Sequence, residues 1–337
     1  MRLRRHLILL AALFTSHRLS AQTAPRMPDP DRIRLAEAFR LADAVGDRIW
    51  PGWSAAPFAV LLVTPNYEYL VRHPAPTPDW TLLGVDSILN EGVWYRKRQF
   101  PLNFLATFPA VGAVPTIVVG QAEHTTAKTS TPWVVTLLHE HFHQYQYSHP
   151  GYYDSVAALG LAHGDTSGMW MLNFPFPYED KNVQKRFSAA ARALRAAVMS
   201  GGRAAFGPAL DTLRQNLAAL RQSVTAEQWA YLQFQLWQEG TARYTEFWVA
   251  GRAADAYQPS PAFAALKDFT SYRSLQGKLG NAMLDELLND RLGESKRSVV
   301  YNFGAAEALT LDFAQTHWRG RYFTPLFTLD ARLDAPQ

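Results

Sequence analysis

The sequence predicts an α+β protein in two lobes, and three observations predict it. Strand-like segments fall in the first part of the chain, helical periodicity dominates the remainder, and a well-capped apolar helix stands where the two meet. That helix contains "VVTLLHEHFHQYQ", Val134 to Gln146, with three histidines and a glutamate in five positions.

The chain has 337 residues, 48% of them hydrophobic, with 10 Trp, 14 Tyr and 19 Phe. That length suits one large domain or two lobes with cores of their own, and the composition is that of a folded protein. The first residues, "MRLRRHLILLAALFTSHRLSAQ", place Arg2, Arg4 and Arg5 before the apolar run Leu7 to Phe14, with Ser20 and Ala21 after it. This is the pattern of a signal peptide over residues 1–21, and its apolar run is too short to span a bilayer. An exported protein, periplasmic or secreted, is expected. No later stretch approaches 18 uninterrupted apolar residues, so stable membrane insertion after signal cleavage is not expected.

The formal charge of +4 belongs to the leader. Removing residues 1–21 removes four arginines and no acid, which leaves 29 basic residues against 29 acidic ones. A neutral mature chain offers no electrostatic case for nucleic acid or an anionic membrane as partner. With no cysteine in the chain, disulfides and thiolate ligands are excluded, so a metal would be held by His, Asp or Glu.

After the proline-rich "TAPRMPDP", Asp31 to Asp47 carries apolar residues at helical spacing. Phe58 to Thr64 and Tyr67 to His73 form two strands around the turn Pro65-Asn66, and Val114 to Gly120 forms another. Residues 74–112 are rich in Pro, Trp and Phe without a clear period. Thr131 is a suitable cap and Pro132 suits a first helical turn, while His149 to Gly151 stops the run. Residues 132–148 are about five turns of helix and too long for an ordinary strand. These elements make an N-terminal lobe over 22–150 with a small mixed or antiparallel sheet. A mostly helical lobe follows over 151–337, with periodic stretches at Val183–Ser200, Phe206–Val224, Ala226–Ala254, Tyr272–Leu292 and Phe303–Trp318.

On a helix, His139 and His143 share a face and can grip one ion, with Glu140 beside it as the general base. His141 lies about 200° round from His139, at the surface or beside the site rather than on the ion. A hydrolytic zinc site needs a third protein ligand and an open position for water. Downstream candidates are Glu179, Glu227, Glu239, Glu246, Glu286, Glu294 and Glu307. Glu239, among Phe234, Leu236 and Trp237, is the favoured one, because an unpaired carboxylate there is costly to bury. Gly240 then removes a side chain where this helix could approach the motif helix. Arg243, four residues on, is the alternative partner of Glu239, and Glu307 is the rival ligand.

H-E-x-x-H on one helix and W-x-E-G-x-A-x-Y on a second, carried by Trp237, Glu239, Gly240, Ala242 and Tyr244, resembles the gluzincin metallopeptidases, particularly the bacterial peptidase MA-like branch. The match covers two short segments. The resemblance implies a zincin-like fold and one Zn2+ per chain held by His139, His143 and Glu239. It further implies Glu140 as the general base that activates zinc-bound water against a peptide or protein substrate. The gap of about 95 residues between the motifs is longer than in many gluzincins. Arg243 stands where some members carry an acidic residue, a part that Glu246 can take.

Of the possible oxyanion donors Tyr244, Tyr301 and His163, Tyr301 is favoured. "GDTSG", Gly164 to Gly168, matches neither the serine- nor the aspartic-protease signature and is read as a loop. "GMWMLNFPFPY", Gly168 to Tyr178, is read first as core packing and second as a cleft wall. Strand Val114 to Gly120 holds the place where zincins present an edge strand to substrate. Two other readings stand beside the peptidase: a non-catalytic scaffold stapled by zinc, and a zinc hydrolase acting on an amide or ester outside proteins.

Overall fold

A computed structural model describes residues 25–315 and 317–333, so the signal-peptide expectation falls outside the described residues. Helix α1 (Asp29–Ile49) starts at Pro28 with acids in its first turn, favourable to the helix dipole, and gives way to extended backbone at Trp50, before Pro51. Six strands follow: β1 (Val60–Val63), β2 (Tyr67–Val71), β3 (Thr81–Asp86), β4 (Glu91–Lys97), β5 (Leu105–Val111) and β6 (Val114–Gly120). They form one mixed sheet in the order β3-β4-β2-β1-β6-β5. Only β1 and β6 run parallel; every other pair is antiparallel.

The central strands are buried on both faces, hence their unbroken apolar runs. Val60, Leu62, Tyr69, Val71, Ile117 and Val119 face the main core. Leu61, Val63, Leu70 and Val118 face a smaller cluster closed by Trp80 and Val111. Residues 74–112, unassigned from sequence, supply β3, β4 and β5. β3 leaves Leu82 and Val85 exposed and shifts register near Gly84, while β5 carries Pro109 at a second irregularity, so neither shows a clean two-residue alternation.

The sheet corrects one expectation. β6 lies inside it, between β1 and β5, so the edge strand beside the motif helix is β5. Pro109 fits that place, since an edge strand tolerates a residue with no N–H to give.

The helical remainder comprises α2 (Ser130–Ser148), α3 (Tyr152–Ala158), α4 (Trp170–Asn173), α5 (Lys181–Ser200), α6 (Phe206–Arg221), α7 (Ala226–Gln235), α8 (Thr241–Ala256), α9 (Pro261–Ala264), α10 (Tyr272–Asn289), α11 (Leu292–Ser295), α12 (Val299–Ala314) and α13 (Asp330–Leu333). The main core runs without a break from Met27 through the sheet and α2 to Leu333. Residue 150 therefore marks no gap in the packing. Trp170, Phe174 and Phe176 are buried, and Phe174 stacks on Tyr231 at 4.3 Å, which is core packing. In "GDTSG" the Asp165 carboxylate accepts from the Ser167 and Trp170 backbone N–H groups, as a loop that starts a short helix does.

α2 begins one residue before Thr131, and Thr131 is not its cap. Asp268, in the loop after α9, accepts from the Ser130 N–H at 2.9 Å and from its hydroxyl at 2.6 Å. Arg34 on α1 donates to the Ser130 hydroxyl, Asp31, Glu123 and Asp268. Thr131 instead ties to the Thr270 backbone in both directions.

Between α7 and α8 the helix widens into a π turn over Leu236–Gly240. Gly240 does not face α2, as the sequence suggested; it meets α12. A Cβ on Gly240 would clash with the Gly304 Cα, so the two backbones touch where both side chains are missing. Gly240→Ala is expected to cost about 1–3 kcal/mol through overpacking, read as a lower urea midpoint with an unchanged slope. An unaltered midpoint would show that α12 moves away freely.

Candidate metal centre

Three donors from two helices converge. Nε2 of His143 lies 3.4 Å and Nε2 of His139 3.8 Å from Oε2 of Glu239, and the three atoms all lie within 4.8 Å of one another. Two ligands each about 2.0–2.1 Å from a tetrahedral ion stand roughly 3.3 Å apart, so one divalent cation would fit between the three donors by drawing them closer together. The side chains of His139, His143 and Glu239 are 7%, 6% and 13% exposed, so the group is nearly but not fully closed to solvent. Among the described residues this is the one group of three or more His, Asp or Glu able to hold a metal ion.

Each donor is held from behind. His139 Nδ1 is 2.7 Å from Glu246 Oε1; a carboxylate only accepts, so Nδ1 carries a hydrogen, and Nε2 is the nitrogen turned toward Glu239, able to ligate once its own proton is displaced. His143 Nδ1 is likewise 2.7 Å from Gln146 Oε1. The orientation of Gln146 follows from its Nε2, which donates to the Gln238 carbonyl at 3.1 Å and to the Tyr322 hydroxyl at 2.7 Å. Arg297 donates to Glu239 Oε1 at 2.8 Å, which leaves Oε2 for the histidines. The π turn supplies the aim: an extra residue in that turn rotates Glu239 relative to α7, and π bulges of this kind are frequent at functional sites.

The electrostatics favour a cation. Burial pushes the His139 imidazole down, but the facing Glu239 and Glu246 carboxylates overcome it and hold it at about 10. Burial would raise Glu239, yet His143, His139 and Arg297 hold it well below the usual carboxylate range. Glu246 is lowered against its burial by Arg243 and His139. Glu239 is paired with Arg297 and Glu246 with Arg243, and the negative charge left around His139 is what holds its proton, the positive charge that a metal cation would replace.

Glu140 is 6% exposed, and its Oε2 accepts from the Thr107 hydroxyl at 2.7 Å. Thr107 belongs to β5, so the edge strand and the motif helix meet at this carboxylate. Tyr301 lies at the site: its ring is 6.2 Å from that of His139, and Arg297 donates to its hydroxyl at 3.3 Å. The Glu239 charge and burial both raise its phenol, which keeps it protonated.

Several expected placements change. Arg243 does not pair with Glu239; it donates to Glu246 at 2.7 Å, and Arg297 takes the place by Glu239. His141 is neither on the surface nor beside the metal donors. It is 3% exposed, stacked on Phe58 at 3.9 Å, and burial pushes it down to about 4. Glu307 is fully buried away from the cluster, and burial raises its carboxyl well above the usual range. Tyr244 points into the core and donates to Asp312, and His163 is exposed and paired with Glu227. Arg297, Thr107 and Gln146 were missed. Gln146 was within sight, three residues past His143 on the same helix; Arg297, four before Tyr301, had no spacing signal of its own.

Comparison with protein-family models, with curated proteins and with solved structures finds no match.

The donor set leads to a metal titration. Glu239→Ala is expected to abolish stoichiometric binding of a divalent ion, and Glu307→Ala to leave it intact. Glu246→Gln is expected to weaken it by about 10- to 100-fold. Equal metal content in Glu239→Ala and the wild type by elemental analysis would remove Glu239 from the site.

Proposed function

We propose that the chain is an exported zinc-dependent metallopeptidase of gluzincin type, with His139, His143 and Glu239 as ligands and Glu140 as general base. The observation that carries this reading is the convergence of three donors, from two helices about 95 residues apart in sequence, beside a buried glutamate. A His2Glu set without cysteine suits Zn2+ and leaves a fourth position open, which favours a catalytic over a stapling role. No helix among the described residues is long and apolar enough to cross a membrane.

When bound, the cation would polarise the scissile carbonyl and make water more acidic. The protein's own groups do the rest. Glu140, with Oε2 engaged by Thr107, keeps Oε1 to take the proton of the attacking water and to pass it to the leaving amine. Tyr301, protonated and held by Arg297, presents its hydroxyl hydrogen to the developing oxyanion. The outer side of β5, unpaired in the sheet, gives an extended substrate backbone a strand to join, in line with Glu140.

Glu140→Gln is expected to keep the metal and lose at least about 100-fold in kcat, measured on a mixed peptide substrate library with metal content assayed in the same preparation. Tyr301→Phe is expected to lower kcat by a smaller factor at near-constant KM. Wild-type turnover in Glu140→Gln would end the mechanism. Cleavage of an ester or non-peptide amide panel, with peptides left intact, would keep the chemistry and change the substrate.

A further inference from the structure

Four side chains from three helices form a closed circuit beside the metal donors. His139 on α2 meets Glu246 on α8 at 2.7 Å, and Arg243, one turn earlier on α8, donates from Nη1 to the other Glu246 oxygen at 2.7 Å. The same guanidinium lies over the Tyr301 ring on α12, 5.7 Å from its centroid. The Tyr301 ring stands 6.2 Å from that of His139, which completes the circuit. Arg243 thus touches both the carboxylate that backs His139 and the phenol that faces the site.

The contacts of Arg243 are those of a support. Its Nε is buried without a hydrogen-bond partner, so the pose is not the one that best satisfies the guanidinium itself. Glu286 is near enough to feel its charge, yet takes its hydrogen bond from Asn302. Glu246 is the carboxylate that Arg243 holds, and at 6% exposure it would be costly to leave unpaired. On Tyr301 two arginines divide the work: Arg297 donates to the hydroxyl, and Arg243 touches only the ring. A guanidinium can do both of the tasks of Arg243 at once, with an N–H at its edge for the carboxylate and a face for the ring. A lysine ammonium spent on the carboxylate has no face to offer.

We propose that Arg243 is a positioning residue that serves the metal and the oxyanion donor together. Through Glu246 it keeps His139 aimed at the ion, and through its face on Tyr301 it keeps the phenol hydroxyl where the oxyanion develops. A hydroxyl held loosely there costs turnover rather than substrate binding, because its contact is made in the transition state. The proposal rests on the metallopeptidase reading, and its two effects separate by substitution: lysine at position 243 keeps the first and loses the second.

Zn2+ affinity, measured by competition with a chromogenic chelator, needs no substrate; kcat and KM are read on one cleaved peptide. Arg243→Gln is expected to weaken Zn2+ about tenfold and to lower kcat about fivefold at near-constant KM. Arg243→Lys is expected to recover wild-type Zn2+ affinity while kcat stays down by the same factor. In Tyr301→Phe, which has no hydroxyl to position, Arg243→Lys is expected to cost nothing further. Arg252→Gln, on the same helix but over Trp248, is expected to change neither quantity. Urea midpoints establish which variants fold, and if Arg243→Gln does not, the lysine variant with and without Tyr301→Phe decides. Equal Zn2+ affinity in a folded Arg243→Gln, full kcat in Arg243→Lys, or the same lysine cost in Tyr301→Phe as in the wild type would each overturn this proposal alone. No metal in the wild type, or metal without turnover of any peptide or ester, would end the metallopeptidase reading and the proposal with it.

Discussion

Several charged groups that would each be costly to bury alone are gathered at one point, and much of the surrounding structure answers that cost. Glu140, Glu246, His139 and His143 lie almost out of solvent. An isolated charge in such a place would shift its pKa or pull the structure apart. Here each has a partner: His139 on α2 meets Glu246 on α8, which Arg243 of its own helix also holds; Thr107 on β5 donates to Glu140; His143 meets Gln146 of its own helix; and Arg297, just before α12, holds the neighbouring Glu239. The contacts span residues 107 to 297, so the sheet, the motif helix and the late helices are joined by the same few polar contacts. The unbroken main core is the apolar counterpart of that network. Each requires the other, because hydrogen bonds in a water-poor setting are strong only while packing keeps the water out.

What the sequence disclosed follows from how local each signal is. α1, α2, α5, α6 and α10 are legible within a few residues of their ends, since helical periodicity repeats many times over 16 to 21 residues. β1, β2 and β6 are legible as apolar runs, being buried on both faces. β3, β4 and β5 are not, because exposure on one face, a shifted register and a proline erase the two-residue pattern. In the site, His139 and His143 share one helix, so their spacing announces them. Glu239 needed an argument about the cost of burial; the structure brings it to the two histidines, with other neighbours than the sequence suggested.

The errors at the neighbours share a cause. Arg243 for Glu239, Gly240 against α2 and Thr131 as a cap were all guesses that the nearest group in sequence is the nearest in space. A π turn alters the register of Glu239 against the next helix, and helix crossings bring in Arg297 and Gly304 from about 60 residues away. His141 shows the reverse case. Helical geometry rightly turned it from the metal donors, but a helix packed on every side has no surface to turn toward, so the residue became part of the core.

The cap on α2 has a consequence for how the chain comes to be folded. The first turn of the helix that bears both histidines is closed by Asp268, 138 residues downstream, and Asp268 is joined there by Arg34 from the first helix. During synthesis the motif helix would emerge long before the residue that completes it. Contacts of such long range are made late, after most of the loop entropy has been lost. The two histidines and Glu239 are themselves about 95 residues apart, so a chain cut before residue 239 would carry the histidines without the carboxylate that faces them.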